Sequence, residues 1–403
     1  MSLNLPSRPS RLGASLGLDP TESYSYSVCP DFWFSDGNVI LVAGPCAFKV
    51  HRGQLERHSE VFSDMFSFPN PDSHLGNNNH VLLHDSPIDV YYLLKALYDG
   101  VSSSGISPFD FAFVAGVLRL SHKYFVSAQR DQCFALLRRV FPDTLAGWDR
   151  REQEVLDPTG RYLPRDAIPN PILVINLARE LQLDSILPAA FYDLARYGPS
   201  KSAAGTTVPP TVVLEAFNPS SPVAVSPVSP STPGAAAPSL ASSTSLVQLS
   251  HDDLVLTLHG RELAQSWMTN YLNTDLAPRT PSPSCAHAAP LSPTSSKPCR
   301  DSFFFILLNA RRAVGGIVAG RDADPLFTLQ QMMDMLHRTD FSDGARTYGL
   351  PMCCFCKAEF VRAVGRAREQ VWRTIPAWFG LNTHAGPDCG FENAIGTESM
   401  HVP

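Results

Sequence analysis

Near the start of the chain, the apolar residues change from a strand-like to a helical spacing. Asp31–Phe34 and Asn38–Val42 are rich in strand-forming residues, and a Ser-Asp-Gly turn separates them. In Ala47–His51 apolar side chains alternate with polar ones, as they do in a strand with one buried face. From Leu55 to Phe66 the apolar residues recur at helical intervals. The pattern predicts a small sheet that leads into a pair of helices.

A hairpin of two helices is predicted in the middle of the chain. Asn170 precedes Pro171, which is the order of a capping residue and a first-turn proline. The apolar stretches Ile172–Leu183 and Ile186–Tyr197 follow, and Gly198 ends the second stretch. Because the connection between the stretches is so short, the two helices should pack against each other as a hairpin.

The C-terminal part predicts a helical body. Ser250 and Asp253 have the spacing of a capping box at a helix start. Three further helices are predicted from their apolar faces, over Phe303–Val314, Pro325–Arg338 and Ala358–Ile375. The last of these helices should end at Pro376, because proline cannot donate the next backbone hydrogen bond.

Composition marks the connections between these bodies. Between Ser202 and Ser250 the only charged residue is Glu215, and Asn218–Ser245 consists mostly of Pro, Ser, Ala and Thr. Such a segment buries too little apolar surface to offset its chain entropy, so a disordered linker is predicted.

The predicted fold class is an α/β N-terminal domain, a small mixed sheet flanked by helices, followed by a mostly α-helical C-terminal region with disordered linkers. The predicted boundaries are a disordered tail at 1–27, the α/β domain at 28–142, a charged connector and the helical hairpin at 143–198, a disordered linker at 199–249, a helical domain at 250–380 interrupted by a loop at 278–298, and a tail at 381–403.

The charge balance argues against several partners. The formal net charge is −6, whereas broad nucleic-acid binding needs a basic face, so we expect no direct nucleic-acid contact. The arginines of Arg362–Arg373 are interpreted as a solvated helix face. The apolar runs are too short to cross a bilayer, so we expect no membrane partner and a cytoplasmic or nuclear location. Met1–Leu18 weakly resembles a mitochondrial presequence, and a disordered tail is the simpler interpretation.

The cysteines number nine and lack dense regular spacing, which argues against a secreted disulfide scaffold. Cys353 and Cys356 form a C-x-x-C pair, which supplies two of the four soft ligands of a zinc site. Cys285 and Cys299 are the candidates for the other two ligands, and Cys389 competes with them. The alternative is that these cysteines are buried thiols without a metal. Structural zinc is therefore a candidate, and no other cofactor is expected.

Sequence signatures of common catalytic sites are missing. The chain has no Gly-x-Ser-x-Gly elbow, no His-Glu-x-x-His and no phosphate-binding loop that ends in Gly-Lys-Ser/Thr. Gly315–Gly320 is rich in glycine but lacks the lysine of such a loop, so it is interpreted as a plain loop. We therefore expect no enzymatic activity.

The N-terminal elements carry a sequence pattern that resembles the BTB/POZ family. The family shows an Asp before the first strand, a turn, a Phe-bearing strand, His-Arg, a Leu, a Ser and a Phe-x-x-Met-Phe ending. The corresponding residues here are Asp31, Asp36-Gly37, Phe48, His51-Arg52, Leu55, Ser59 and Phe62–Phe66. The likeness continues through Val81–Leu83, Asp85–Gly100, Phe111–Tyr124 and Ala128–Val140, and so covers about 110 residues. Val50 departs from the family's usual Ala, and the Pro/Ser linkers resemble those of the fungal BTB protein group.

The resemblance implies a homodimer built on the first helices and an exchanged N-terminal strand, for which Tyr24–Val28 is the candidate. In related domains a buried Asp and a basic residue line a pocket near the dimer seam, and Asp31 and Arg52 fall on those positions. As a charge pair they would hold the fold in register, so Asp31→Asn should cost stability more than specificity. Phe32 and Phe34 complete the candidate pocket, because adjacent aromatics need both strand faces covered, either by a partner subunit or within one monomer.

These inferences lead to a non-enzymatic interaction scaffold that dimerises through a BTB/POZ-like domain. A more specific expectation is a substrate adaptor for a cullin-type ubiquitin ligase, because the hairpin Ile172–Tyr197 stands where many adaptors place extra cullin-contacting helices. The first alternative is a transcriptional regulator that recruits a corepressor, although the chain has no zinc finger of the paired-Cys, paired-His kind. The second alternative is an enzyme with an unrecognised site in the C-terminal region.

Overall fold

The computed structural model divides the chain into two compact units, Met1–Leu254 and Val255–Pro403. It describes residues 26–67, 80–101, 110–155, 168–207, 246–287, 297–314, 322–342 and 347–381. The predicted class is confirmed at the level of a mixed α/β protein, with a small N-terminal sheet and a mostly helical remainder. Several of the predictions above concern residues that lie outside the described ranges in whole or in part: Met1–Leu18, the tails at 1–27 and 381–403, Tyr24–Val28, the connector within 143–198, the linker 199–249 with Asn218–Ser245, the loop 278–298, Gly315–Gly320 and Cys389.

The first unit begins with a four-stranded sheet in the order β1-β3-β2-β4. Its strands are β1 (Ser27–Trp33), β2 (Val39–Ala43), β3 (Cys46–Val50) and β4 (His80–Leu83). Strands β2 and β3 form an antiparallel hairpin, β4 runs parallel to β2, and β1 runs parallel to β3. The pairing of β1 is irregular between Val28 and Trp33. Both outer strands, β1 and β4, therefore have one paired edge within the described sheet.

The β2–β3 turn depends on Gly44, which precedes Pro45 in a pair of residues typical of turns. Gly44 has a φ of +50°, in the left-handed region that other residues rarely adopt. The turn brings Ala43 opposite Cys46 and sets the register that ends with Val39 opposite Val50. This register turns Leu41 and Phe48 into the core, where both are almost fully buried.

Helices follow the sheet in the first unit and close its core. They are α1 (Arg52–His58), α2 (Glu60–Ser67), α3 (Pro87–Tyr98), α4 (Phe111–Lys123), α5 (Ser127–Val140), α6 (Leu145–Glu154), α7 (Pro171–Leu181), α8 (Leu187–Ala195) and α9 (Pro199–Ala204). A two-residue ladder then joins β5 (Thr206–Thr207) to β6 (Leu246–Val247). The predicted helical hairpin corresponds to α7 and α8, and Asn170 caps α7 by accepting a hydrogen bond from the backbone N–H of Ile172 at 3.0 Å.

Helix α6 corrects the prediction that the segment after residue 142 is only a charged connector. Thr144 caps the helix by accepting a hydrogen bond from the backbone N–H of Gly147 at 3.2 Å. The ring of Trp148 and the side chain of Arg151 are buried. The helix was not predicted because this segment is rich in charged residues. Such residues are usually exposed unless oppositely charged partners on another helix compensate them.

A buried network of charges joins α6 to α8. Asp193 is fully buried, and its carboxylate accepts hydrogen bonds from Arg151 at 2.6 Å and from Arg196. The carboxylate of Glu152 accepts from the same two guanidinium groups, at 2.7 and 2.9 Å. Both guanidinium carbons also lie over the ring of Trp148, at 4.6 and 4.9 Å from its centroid. Two positive and two negative charges thus balance inside the unit.

The second unit is helical. Its main elements are α10 (His251–Tyr271), which starts just before the unit boundary, a π-helical turn (Leu272–Leu276), α11 (Lys297–Val314), α12 (Pro325–Asp334), the short ladder of β7 (Phe341–Ser342) with β8 (Thr347–Tyr348), and α13 (Cys354–Trp378). The serine cap of the predicted capping box is confirmed, because the hydroxyl of Ser250 accepts a hydrogen bond from the backbone N–H of Asp253 at 3.1 Å. Among the described residues, no helix is both long and apolar enough to span a bilayer.

Two sequence features of this unit have a packing role that spacing alone did not show. Gly260 lies inside α10 because the ring of Phe379 packs onto it, and a Cβ there would meet that ring at 2.1 Å. Helix α13 continues past Pro376 to Trp378, so the predicted end at the proline is wrong. The missing N–H costs a single hydrogen bond in the last turn, where the burial of Ile375 and Trp378 stabilises the helix.

Removing the shared carboxylate of the buried network should strongly destabilise the first unit. Asp193→Ala leaves Arg151 and Arg196 buried without it, so we expect a loss of about 3–5 kcal/mol in the free energy of unfolding, measured by urea denaturation. The control is Asp131→Ala, which removes an exposed ion pair with Arg130 and should cost less than about 1 kcal/mol. Equal losses in the two variants would contradict the structural importance of the network.

Candidate metal centre and candidate interface

Four buried cysteines of the second unit form a cluster that can hold a metal ion. Cys285 lies in the loop after α10, Cys299 in the first turn of α11, Cys353 at the cap of α13 and Cys356 in its first turn. Their sulfur atoms all lie within 4.8 Å of one another. The structure thus brings together the four cysteines that the sequence analysis selected as metal ligands.

The distances between the sulfur atoms fit a metal better than a disulfide. The Sγ of Cys285 lies 3.6 Å from that of Cys299 and 3.8 Å from that of Cys353. A disulfide bond requires about 2.05 Å. In a tetrahedral site with metal–sulfur bonds of about 2.3 Å, neighbouring sulfur atoms are about 3.8 Å apart. The cluster therefore has the size of a four-thiolate metal site.

Local folding of the C-x-x-C pair explains why both of its thiols face the same way. Cys353 caps α13, and its Sγ accepts a hydrogen bond from the backbone N–H of Cys356 at 3.5 Å. The N–H of Cys353 in turn donates to the Sγ of Cys299 at 3.3 Å, and the N–H of Ser282 donates to the Sγ of Cys356 at 3.3 Å. Backbone donors aimed at sulfur stabilise thiolates and orient metal ligands.

His287 is a polar neighbour of the cluster. Its Nδ1 lies 3.3 Å from the Sγ of Cys299, within reach of a hydrogen bond. Four thiols already complete a tetrahedron, so the imidazole stands in the position of an outer partner that orients Cys299.

Burial and backbone donors act in opposite directions on these thiols. Burial raises the pKa of Cys299 to about 11 and also raises that of Cys356. Burial acts the same way on Cys353, but hydrogen bonds with the backbone N–H groups of Cys356 and Ala286 and with the thiols of Cys356 and Cys285 together outweigh it and lower the pKa of Cys353 to about 6. Metal binding requires the ligand thiols to be deprotonated, and a cation at the centre favours the thiolate of every one.

Cys354 does not belong to this cluster. Cys354 lies between two members of the pair in the sequence but is exposed to solvent. Cys389, the competing candidate, lies outside the described residues.

At the other candidate site, the three adjacent aromatic residues of the N-terminal unit alternate between its interior and its surface. Phe32 is buried against the ring of Tyr91, with centroids 5.2 Å apart. Phe34 is half-buried and stacks on Tyr98 at 5.0 Å. Trp33 lies between them with 36% of its surface exposed. The rings of Phe32 and Phe34 thus have contacts within their own chain, and their role in a partner pocket stays a prediction.

The expected ion pair between Asp31 and Arg52 is wrong. Asp31 is exposed, and its carboxylate accepts a hydrogen bond from the hydroxyl of Tyr91 at 2.8 Å. Arg52 donates to Glu56 at 2.7 Å and to the carbonyl of Phe66 at 3.0 Å. The resemblance to the family pattern located Asp31 and Arg52 in the sequence but did not predict the direction of their side chains. Each of the two side chains has a nearer partner of its own.

A different set of polar contacts joins the strands to the helices at this place. The hydroxyl of Tyr98 accepts a hydrogen bond from the backbone N–H of His51 at 3.0 Å and lies 3.0 Å from its Nδ1. The Nε2 of His51 lies 3.2 Å from Asp36, and the hydrogen bond lowers the pKa of that carboxyl. The amide of Asn38 accepts from the N–H of Arg52 at 2.7 Å and so caps α1. His51 and Tyr98 both occur in the family-like pattern, but only the fold shows that they meet.

Neither a scan against protein-family models nor a search of curated proteins returned a match for this chain. The geometry of the described residues therefore carries the functional argument.

The polar contacts at Tyr98 should matter more for stability than the carboxylate of Asp31. Tyr98→Phe removes the acceptor of the His51 N–H in a half-buried place, so we expect a loss of about 1–3 kcal/mol in the free energy of unfolding. Asp31→Asn changes an exposed group and should cost less than about 1 kcal/mol. Thermal and urea denaturation of both variants check the order, and the reverse order would restore the structural role first expected for Asp31.

Proposed function

We propose that this chain is a protein-interaction scaffold whose N-terminal unit is a BTB/POZ-like dimerisation domain and that it has no enzymatic activity. The supporting observation is the connection of the sheet. A β2–β3 hairpin leads through the helical pair α1–α2 to β4, which returns parallel to β2 and is followed by α3, α4 and α5. This is the element order that the family-like sequence pattern implies.

The edge strand β1 offers a surface for a second copy of the chain. It is paired only with β3 among the described strands, so its other edge carries unpaired backbone groups that can bind another strand. Val28 and Trp33 on this strand are exposed by 43% and 36%, respectively. An apolar edge next to a buried aromatic core is the surface that a dimer would cover.

The helical hairpin supports a more specific role as a substrate adaptor for a cullin-type ubiquitin ligase. Helix α7 is attached to the α/β body, because the Nε–H of Arg119 on α4 donates a bifurcated hydrogen bond to the two carboxylate oxygens of Glu180, at 2.9 and 3.0 Å. Helix α8 is attached to α6 through the buried carboxylate of Asp193. Extra helices held against the body in this way resemble those that adaptors use to extend a cullin contact. Capture of a cullin by the full chain would support this role, and capture of a corepressor would favour a transcriptional regulator.

Dimerisation through β1 can be tested with a charge placed on its exposed edge. The full chain should elute with twice the mass of one chain in size-exclusion chromatography with light scattering. Trp33→Lys should shift it to the monomer, because a charge on the seam must be desolvated. Leu82→Lys is the matched control, since Leu82 is exposed by 61% on the opposite edge strand, and it should leave the dimer unchanged.

A wild-type chain that stays monomeric at high concentration would refute the dimer. If Leu82→Lys rather than Trp33→Lys dissociates it, the seam lies on β4 and the proposed edge is wrong.

We also propose that Cys285, Cys299, Cys353 and Cys356 bind a structural zinc ion. Four thiolates form the closed coordination shell of structural zinc sites, which lack the open position that catalysis needs. All four ligands are buried, and backbone N–H groups already point at three of the sulfur atoms. Such an ion would join the loop after α10 to the first turns of α11 and α13.

Metal analysis of the purified full chain should find about one zinc ion per chain. Cys299→Ser should lose most of this zinc and lower the melting temperature, because a structural metal contributes directly to folding. Cys354→Ser is the matched control, since it changes an exposed cysteine beside the cluster, and it should keep both the zinc and the melting temperature.

Two results would contradict the zinc site. One is a metal-free wild-type chain that melts at the same temperature with and without added zinc. The other is an equal loss of zinc in both serine variants, which would mean that the binding does not depend on the buried cluster.

A further inference from the structure

A second candidate site in the C-terminal unit is a cavity of about 330 Å³ between the end of α10 and the middle of α13. Ligand pockets begin at about 300 Å³, so the cavity has room for a small organic molecule. Its polar lining consists of Asn270, Thr274, Asp275, Arg279, Arg366 and Gln370. Nothing in the proposed scaffold or zinc roles uses these residues.

Two arginines bring positive charge into the cavity, and neither is paired with Asp275, the carboxylate of its lining. Within the described ranges, neither Arg279 nor Arg366 has an ion pair or a side-chain hydrogen bond. The Nε of Arg279 is even buried without a partner. The guanidinium of Arg279 packs over the rings of Phe303 and Phe360, at 6.0 and 5.4 Å, which fixes its place.

An aromatic wall borders these charges. The rings of Trp267 and Tyr271 stack with centroids 5.4 Å apart and planes within 7°. Burial raises the pKa of the Tyr271 hydroxyl to about 12. The positive charges of Arg279 and Arg366 act to lower this pKa, and the negative charge of Asp275 acts to raise it. All three charged groups therefore act at the Tyr271 hydroxyl, which stays protonated at neutral pH and able to donate a hydrogen bond.

The backbone at the cavity is also unusual. Helix α10 changes into a π-helical turn at Leu272–Leu276, and this turn carries Thr274 and Asp275 of the lining. π-Helical turns are rare and are found disproportionately at functional sites, because they cost stability unless their geometry is used. The turn is a second observation, independent of the unpaired arginines, that points to a binding role.

We infer that this cavity binds a phosphate monoester, with Arg279 and Arg366 holding the phosphoryl oxygens. Guanidinium groups bind phosphate through paired hydrogen bonds. A phosphate monoester carries a charge of about −1.5 to −2 at neutral pH. This charge matches that of two unpaired arginines better than the charge of a carboxylate ligand would. The wall of Trp267 and Tyr271 then accepts the organic part of the ester, and the carboxylate of Asp275 keeps the anion on the side of the arginines.

Isothermal titration calorimetry of the full chain with phenyl phosphate tests this inference, with phenol as the uncharged control ligand. We expect phenyl phosphate to bind, phenol to bind at least about tenfold more weakly, and added salt to weaken the phosphate binding. Arg366→Gln is the main variant, because this exposed residue can change without loss of folding, and it should weaken binding about tenfold. Asp275→Asn should strengthen binding about fivefold, since it removes a nearby negative charge.

Arg373→Gln is the matched control on the same helix, because Arg373 is exposed and pairs with Glu369 outside the cavity. It should leave the affinity for phenyl phosphate unchanged. Absence of phenyl phosphate binding, or equal weakening by Arg366→Gln and Arg373→Gln, would overturn the inference.

A phosphotyrosine peptide distinguishes the two sources of this ligand chemistry. Tighter binding of the peptide than of phenyl phosphate would identify a phosphorylated protein segment as the ligand. Equal or weaker binding of the peptide would identify a free phosphorylated small molecule. Both results support the phosphate site, whatever the outcome of the dimerisation and zinc experiments.

Discussion

The cluster of Cys285, Cys299, Cys353 and Cys356 brings a loop of the second unit against the first turns of two helices. Four thiols this close together in a buried place cannot all ionise without a cation, since their charges would repel one another. As neutral thiols they would fill the space but make only weak S–H contacts. A divalent ion supplies charge balance and directional bonds together, which is the physical reason for proposing zinc.

The first unit meets the same constraint on buried charge with side chains alone. Asp193 is fully buried, and two arginines and Glu152 around it bring the local charge to zero. Breaking such a network is costly, because each remaining charge loses its partner in a place that water does not reach. The network therefore fixes α8 against α6, and with it the hairpin that the adaptor proposal requires. Interaction surfaces on α7 and α8 would then be presented in a constant orientation to the α/β body.

Local signals predicted most strands and helices, whereas contacts between distant residues escaped the sequence. The Gly-Pro turn and the capping residues Asn170 and Ser250 act on their near neighbours, so the sequence alone predicts them. The metal ligands could be predicted because a C-x-x-C pair supplies two ligands of a zinc site and leaves only two more cysteines to be found. Helix α6 was missed because Arg151 finds its carboxylate on another helix, and the Asp31–Arg52 pair was wrong because nearer partners compete for both. The solvated face predicted over Arg362–Arg373 holds for Arg366, which is exposed, but not for Arg368, which is buried, because helical spacing alone does not show which arginines the rest of the unit covers.

The cysteine cluster and the cavity proposed to bind phosphate are built on the same two parts of the second unit, helix α13 and the segment that contains Arg279 and Cys285. Helix α13 begins with Cys353 and Cys356 and carries Arg366 further along, and the loop that bears Cys285 follows Arg279 directly. Phe360, one turn beyond Cys356, is the ring on which the Arg279 guanidinium packs. A metal bound to Cys285, Cys353 and Cys356 would hold the loop that follows Arg279 against the start of α13. It would thus restrict the distance between Arg279 and Arg366, which α13 carries. Binding of a dianion needs that distance to be constant, because a guanidinium that must first be ordered loses part of its binding energy to entropy.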